Sequence, residues 1–205
     1  MENLPGTTPP RPLVVGIGGT GRPGSATERA LKAALSAAET AGTEVRLFGG
    51  QFLAGLPMFV PGRGVQGAAV AELVDAVGQA NGVLLASPSY HGGVSALVKN
   101  GLDHLEHLAD RTRPYLDGRA VGSIVTAAGW QTGGSTLTAL RSVVHALRGW
   151  PTPLGITINT AEPVPGDGGQ AARERCEVQL CTIGWQVAEF AVRAASSRVT
   201  AGAPR

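Results

Sequence analysis

The chain has 205 residues, of which 43% are hydrophobic and 16% charged, and its formal net charge is +2. This length suits one domain with a buried core, and the composition is typical of a soluble globular protein. The basic residues are scattered and almost all are arginines, so no basic stripe suits nucleic acid. No apolar run is long enough for a membrane span and no signal-peptide core is evident, so neither nucleic-acid nor membrane partners are expected. The two cysteines suggest no disulfide framework, so a reducing, cytoplasmic setting is expected.

One folded domain is expected between two irregular termini. Residues 1–12 are rich in proline and threonine and are expected to be disordered, and residues 197–205 are expected to fray. Cys176 and Cys181 lie in a predicted helix at a spacing that suits neither a disulfide framework nor a zinc site, so no metal site is expected. The sequence thus predicts a single domain over residues 13–196.

Short apolar runs alternate with helical patterns along this domain. The runs predict five strands, at residues 13–18, 44–48, 82–86, 120–126 and 152–158. The helical patterns predict helices at residues 25–41 and 68–80, one whose apolar face extends from Val94 to Leu105, and two more at 135–147 and 167–194. This alternation predicts an α/β protein with a five-stranded parallel sheet, helices on both faces and the strand order 2-1-3-4-5.

Residues 49–65 are predicted to form a long loop with several large apolar side chains, among them Phe52, Leu53, Leu56 and Met58. These side chains cannot all remain in water. Either they form a subunit interface or the wall of a binding site, or they fold back on the domain's own core.

Glycine-rich segments follow the first, third and fourth predicted strands. They read GGTGRPGS at residues 18–25, SPSYHGG at 87–93 and AAGWQTGG at 127–134. In the order 2-1-3-4-5 these strands are neighbours, so the three segments meet at the carboxyl edge of the sheet, where such folds bind ligands. Their convergence favours a ligand more strongly than any one segment does.

The first of these segments joins a strand to a helix. Backbone N–H groups at a helix N-terminus suit a phosphate. Ser25 and Glu28 also form a capping-box pattern, so the glycines alone fit a tight turn as well as a ligand site. Thr20, Arg22, Ser25 and Thr27 offer hydroxyls and a guanidinium beside this helix, which suits a single terminal phosphate.

Other nucleotide sites fit less well. Gly16, Gly18 and Gly21 match a dinucleotide fingerprint, but the second strand ends without the acidic residue that would hold a ribose. Neither tyrosine is followed four residues later by lysine, as a short-chain dehydrogenase requires, and no glycine–lysine pair forms a phosphate loop of the NTPase type.

Three motifs carry a resemblance to the NADPH-dependent FMN reductase family of flavodoxin-like folds. The first is GTGRPGSAT at residues 19–27, where the family reads roughly Gly-Ser-x-Arg-x-x-Ser-x-Asn. The second is SPSYHGG at 87–93 with VKNGLD at 98–103, where the family has Thr-Pro-Glu-Tyr-Asn/His-Gly-Ser and Leu-Lys-Asn-Ala-Leu-Asp. The third is the glycine loop at 128–134. The resemblance covers roughly residues 13–160 and implies a flavodoxin-like fold.

The resemblance also implies which residues bind FMN. The phosphate would contact the first motif, at Gly19, Thr20, Arg22, Ser25, Ala26 and Thr27. The flavin ring would contact the other two, at Pro88, Ser89, Tyr90, His91, Gly92, Gly93, Ala128, Gly129 and Trp130. Ser89 stands where the family has glutamate, and Thr27 where it has asparagine.

By resemblance, the chain is an FMN-dependent oxidoreductase. Electrons would pass from NADPH or NADH through FMN to a small acceptor such as a flavin, a quinone or an azo compound. FMN would carry the chemistry, so no catalytic side chain is expected. Family members pair, so a homodimer or homotetramer is expected. The alternatives are a flavodoxin-type electron carrier that serves a protein partner and an NADP-binding regulator.

Overall fold

The computed structural model describes residues 11–161 and 167–201. In these ranges the strands are β1 (Leu13–Gly18), β2 (Glu44–Phe48), β3 (Gly82–Tyr90), β4 (Gly93–Val94), β5 (Ala120–Ala127) and β6 (Trp150–Asn159). The α-helices are α1 (Ala26–Thr40), α2 (Gly50–Ala54), α3 (Gly67–Gln79), α4 (Ala96–Asp103), α5 (Trp130–Ala146) and α6 (Asp167–Ala201), and a 3-10 helix spans His104–Leu108. The N-terminal segment and part of the loop predicted before the last helix lie outside the described residues.

The sheet has the predicted topology. Five strands run parallel in the order β2-β1-β3-β5-β6, and the short β4 pairs antiparallel with β3. The predicted fourth and fifth strands are β5 and β6, so the predicted order is confirmed and the hairpin strand β4 is an addition to it.

Each central strand is buried on both faces, which explains its continuous apolar run. In β3, Val83 and Leu85 belong to the core beneath α3 and α4, whereas Leu84 and Ala86 belong to the core beneath α1 and α6. Fully burying one such aliphatic side chain stabilises the fold by about 1.5–3 kcal/mol. This double burial fixes the carboxyl ends of the strands, from which the glycine-rich segments extend.

Three predicted boundaries were wrong. α5 begins at Trp130 rather than at Ser135, since Gly133 is a helical residue whose missing side chain lets the helix approach the sheet. A Cβ at Gly133 would lie 2.2 Å from Thr157 Cγ2. β3 continues to Tyr90, four residues past its predicted end, and α6 continues to Ala201 rather than ending near residue 194.

The predicted loop at residues 49–65 contains the short helix α2. Leu53 and Leu56 are buried in the domain's own core, so the first half of this segment folds back on it. The second half stays outside, with Met58 at 73% and Val60 at 40% exposure. The first half of the segment therefore packs on the domain's own core, and the second half leaves apolar surface for the interface interpretation.

Candidate functional site

The three glycine-rich segments meet at the carboxyl edge of the sheet, as predicted. Gly18 pairs with Ala86 across β1 and β3, and Pro88 pairs with Thr126 across β3 and β5. The backbone N–H of Gly19 donates to the carbonyl of Ala86 at 3.3 Å. The first segment is therefore anchored directly on the strand that leads into the second.

Ser25 caps α1. Its Oγ accepts from the backbone N–H of Glu28 at 3.3 Å, and its side chain is 4% exposed. The Glu28 carboxylate forms an ion pair with Lys32 Nζ at 2.6 Å. The remaining N–H groups of the first turn have no acceptor within the helix, and the helix dipole adds partial positive charge at this end.

The turn before α1 is shaped by its own side chains. The Thr20 hydroxyl accepts from the backbone N–H of Arg22 and donates to its carbonyl, both at 3.2 Å. The Arg22 side chain is exposed beside it. Gly50, at the start of α2, packs closely against this turn. Only glycine fits there, because a Cβ would lie 1.9 Å from the Thr20 carbonyl oxygen. The turn thus presents a guanidinium close to the helix N-terminus.

Thr27 is buried, unlike Arg22, which is predicted to bind the same phosphate. Its side chain is only 1% exposed, and its Oγ1 lies 2.6 Å from Oγ1 of Thr126 at the end of β5. The hydroxyl is therefore engaged within the protein. Thr126 was not among the predicted site residues, because a single threonine at the end of an apolar strand gives no signal of a partner 99 residues away.

The second segment forms a β-hairpin between β3 and β4. Its two turn residues, His91 and Gly92, have φ of 53° and 77°, which is typical of the tight turns that match strand twist. Tyr90 is 56% exposed at the end of β3.

Ser89 ties this hairpin to the first turn of α5. Its hydroxyl donates to the Thr132 carbonyl at 2.9 Å and lies 2.7 Å from the hydroxyl of Thr136. Ser135 adds a hydrogen bond to the Gly92 carbonyl at 3.3 Å. The hairpin is consequently held by α5 on one side, while its tyrosine faces outward.

The third segment is shorter than predicted, because α5 takes up most of it. Gly129 is the residue before α5 and has an extended backbone, and Ala128 is exposed. Trp130, the first residue of α5, is 58% exposed. A second helix N-terminus therefore lies at the same edge as that of α1.

This edge fits the group that the sequence implies, FMN. Apart from the glycine itself and its two chain neighbours, no protein atom lies within 4 Å of the position of a Cβ at Gly21, Gly24 or Gly129, so the backbone borders open space there. The donors are neutral or cationic: hydroxyls, backbone N–H groups and the Arg22 guanidinium. No predicted site residue is a carboxylate, which suits a phosphate dianion and a flat ring that receives hydrogen bonds.

At the opposite, amino edge of the sheet, the backbone carbonyls that lie before β3 and β5 are engaged by a side chain that the sequence did not single out. The Arg119 guanidinium is 0% exposed. It donates to the carbonyls of Gly78 at 2.7 Å, Ala80 at 3.0 Å, Asp117 at 3.1 Å and Tyr115 at 3.2 Å. A groove of about 450 Å³ lies at this edge, between the start of β6 and α6, and is lined by Trp150, Pro151 and Phe190 among others.

The cysteines offer no redox pair. Cys176 and Cys181 are free and partly buried. Burial, aided by the carboxylate of Glu177, raises the pKa of the Cys176 thiol. A raised pKa lowers the thiolate fraction and with it the reactivity of this side chain.

The topology of the sheet defines a flavodoxin-like α/β protein, with the N-termini of α1 and α5 at its carboxyl edge. A family model described as NADPH-dependent FMN reductase matches residues 12–162. The chain belongs to this family, which confirms the predicted family.

Known proteins agree with this assignment. The chain is 30% identical over 98 residues to the FMN-dependent NADPH-azoreductase of Staphylococcus aureus (strain USA300), which is 48% of this chain and 48% of that protein. The chain thus spans about half the length of the curated relatives that it matches.

Two solved structures share the fold. The flavoenzyme NAD(P)H:(acceptor) oxidoreductase FerB from Paracoccus denitrificans has a TM-score of 0.66 at 14% identity, covering 87% of this chain and 98% of its own. A flavodoxin from Streptococcus pneumonia TIGR4 has a TM-score of 0.58 at 12% identity, covering 86% and 98%. Within residues 11–161 and 167–201, no helix has the length and apolar character that crossing a membrane requires.

Proposed function

We propose that this chain binds FMN at the carboxyl edge of its sheet and transfers electrons from NADPH or NADH to a small acceptor. The observation that carries the proposal is the N-terminus of α1, which Ser25 caps and Arg22 flanks beside open space. A phosphate there would receive N–H groups from the first turn and from the Gly19 to Ala26 segment. Thr27 would add a hydroxyl, and Arg22 can hold two phosphate oxygens at once.

The flavin ring would lie between the hairpin and the start of α5. Pro88 to Gly93 would line one side, with the Tyr90 ring available for stacking. Ala128, Gly129 and Trp130 would line the other edge. The hydrogen bonds that Ser89 makes with the Thr132 carbonyl and the Thr136 hydroxyl link the hairpin to α5.

FMN held by these residues would supply the redox chemistry between the nicotinamide and the acceptor. The side chains of the site bind and orient the two rings, which is what hydride transfer between stacked rings requires. Tyr90 and His91 are the titratable groups of the two ring-binding walls, and neither is needed as an acid or base.

The acceptor is a small molecule such as a quinone, a flavin or an azo compound, the last being the substrate class named for the Staphylococcus aureus relative. The rival function is a flavodoxin-type carrier, whose docking face is usually strongly acidic. The formal net charge of +2 argues against it.

One experiment separates the two functions. Purified protein reconstituted with FMN is mixed with NADPH and a quinone or an azo dye, without any added protein. We expect steady NADPH oxidation that depends on both FMN and the acceptor. Turnover that appears only when a partner protein is added would show a carrier instead, and a protein that takes up no FMN would contradict both functions.

Assembly into a dimer or a dimer of dimers is part of this proposal. Met58 and Val60 expose apolar surface on a segment whose backbone is anchored, since Asn100 bonds to both Pro57 and Phe59 at 3.0 and 2.8 Å. Rigid exposed apolar surface is typical of interfaces. Light scattering at micromolar concentration is expected to give twice or four times the chain mass, and Met58→Glu to reduce it. A monomer would contradict the proposal.

A cytoplasmic location is proposed on the two free thiols, which are typical of a reducing compartment. Fractionation of the producing cells is expected to recover the protein with cytoplasmic markers. Recovery with secreted proteins would contradict this location.

A further inference from the structure

Two buried hydroxyls join the phosphate-binding end of the site to the ring-binding end. Thr27 is the second residue of α1, and Thr126 is the last residue but one of β5. Their Oγ1 atoms are 2.6 Å apart, and the two side chains are 1% and 5% exposed.

The pattern of β5 makes a threonine at this position unusual. Residues two apart along a strand point to the same face, so Thr126 shares its face with Ile124. Ile124 lies in the apolar core beneath α1 and α6. A valine would fill the same space without a hydroxyl, and a hydroxyl in an apolar layer is unfavourable unless it is hydrogen-bonded. Two such groups lie here, and one hydrogen bond joins them.

The location of the pair gives it a function. Thr27 lies in the turn whose N–H groups face the phosphate site, and Thr126 immediately precedes the segment proposed to border the flavin ring. A threonine hydroxyl has one proton to donate and can accept two hydrogen bonds. When Thr126 donates to Thr27, the proton of Thr27 remains for a further acceptor, and a phosphate oxygen is such an acceptor.

We propose that Thr126 is a positioning residue for FMN: it holds the Thr27 hydroxyl and the first turn of α1 in the geometry that receives the phosphate. This inference rests on the proposed function. It assigns to Thr126 an action through Thr27 rather than a contact with the cofactor.

The test compares FMN with riboflavin, which has the same ring but no phosphate. Affinities for both flavins are measured by fluorescence quenching for the wild type, Thr126→Val and Thr126→Ser. Loss of one hydrogen bond to the phosphate-binding turn corresponds to about a tenfold weaker binding. We expect Thr126→Val to weaken FMN by about that factor and riboflavin by about twofold or less, and Thr126→Ser to restore FMN affinity.

A matched control and a double variant complete the test. Thr152 is also buried, at 4% exposure, and its hydroxyl donates to the Leu154 carbonyl at 2.7 Å near the opposite edge of the sheet. Thr152→Val should lower the melting temperature but leave FMN affinity unchanged. If Thr126 acts through Thr27, the double variant Thr27→Val/Thr126→Val binds FMN as Thr27→Val does alone.

The outcomes are distinct. Equal weakening of FMN and riboflavin by Thr126→Val, or unchanged FMN affinity in a folded variant, would overturn the positioning role and leave the proposed function standing. Additive losses in the double variant would also overturn it. A wild-type protein that binds neither flavin would overturn the proposed function and this inference together.

Discussion

The two edges of the sheet differ in whether their polar backbone groups have partners within the protein. At the amino edge, the buried guanidinium of Arg119 donates hydrogen bonds to four carbonyls, those of Gly78, Ala80, Tyr115 and Asp117. At the carboxyl edge, the N-terminus of α1 and the glycines of its turn border open space, with Arg22 exposed beside them. We infer from this contrast that the carbonyls engaged by Arg119 contribute to stability, whereas the N–H groups at the N-terminus of α1 are available for the proposed ligand.

The largest effect is expected when the hydrogen bonds of Arg119 at the amino edge are removed. Arg119→Met removes the donors of four carbonyls and leaves buried acceptors without partners, which should lower the free energy of unfolding by about 3–5 kcal/mol. Urea unfolding measures the change. The control Arg111→Met loses only an exposed ion pair with Asp75 at 3.4 Å and should cost less than about 1 kcal/mol.

FMN affinity of the folded Arg119→Met variant should stay unchanged, because the proposed site lies at the other edge. A large loss of FMN affinity without a loss of stability would mean that the amino edge takes part in binding.

The next largest effect concerns the open edge. Arg22→Ala should weaken FMN binding by about 1.5–3 kcal/mol, the scale of a hydrogen bond to a charged group, with little change in stability. Calorimetric titration with FMN measures it, and Arg63→Ala, another exposed arginine, is the control. Unchanged FMN affinity in the folded variant would remove the phosphate role of Arg22.

A smaller effect is expected at the ring-binding hairpin. Tyr90→Phe and His91→Ala should each keep flavin reduction by NAD(P)H within about tenfold, since alignment rather than proton transfer drives the step. His91→Asn is a useful companion variant, because asparagine tolerates the positive φ of this turn.

Stopped-flow reduction at saturating NAD(P)H provides the measurement, and steady-state kinetics should be ping-pong. A loss on the order of a thousandfold in a variant that still binds FMN would show that a side chain acts as acid or base.

The smallest effect is expected at His107, in the 3-10 helix that follows α4. Burial and the neighbouring His104 lower the pKa of His107, against a weaker opposing effect of Glu106. The unfolded chain therefore binds a proton more readily than the folded one, so stability should fall as pH drops below 6.5, the ordinary value. His107→Gln should flatten this part of the profile of melting temperature between about pH 7.5 and 5. An unchanged profile of melting temperature in His107→Gln would show that His107 does not cause this pH dependence. The affinity for FMN should not change with pH in the same way.

Much of the fold could be predicted from the sequence, because β3 and β5 are apolar on both faces and only a covered parallel sheet accommodates such runs. The convergence of the three segments followed from strand order. The start of α5 could not be predicted, since glycines that permit close packing against Thr157 look like loop glycines. α2 is only five residues long and has no capping side chain, so its sequence gives little helical signal.

The candidate site was predicted only in part. Ser25 could be foreseen as a cap because its partner is three residues away. Thr27 pairs with Thr126, and Arg119 bonds to the Ala80 carbonyl, across long stretches of the chain. No local sequence pattern reveals such contacts.

Hydrogen–deuterium exchange with and without FMN tests the contrast between the edges most directly. We expect FMN to slow exchange in the amides of residues 19–27, 88–93 and 127–131, with no change at residues 115–120 or 150–153. Protection at the amino edge, or no protection at the N-terminus of α1, would contradict the account.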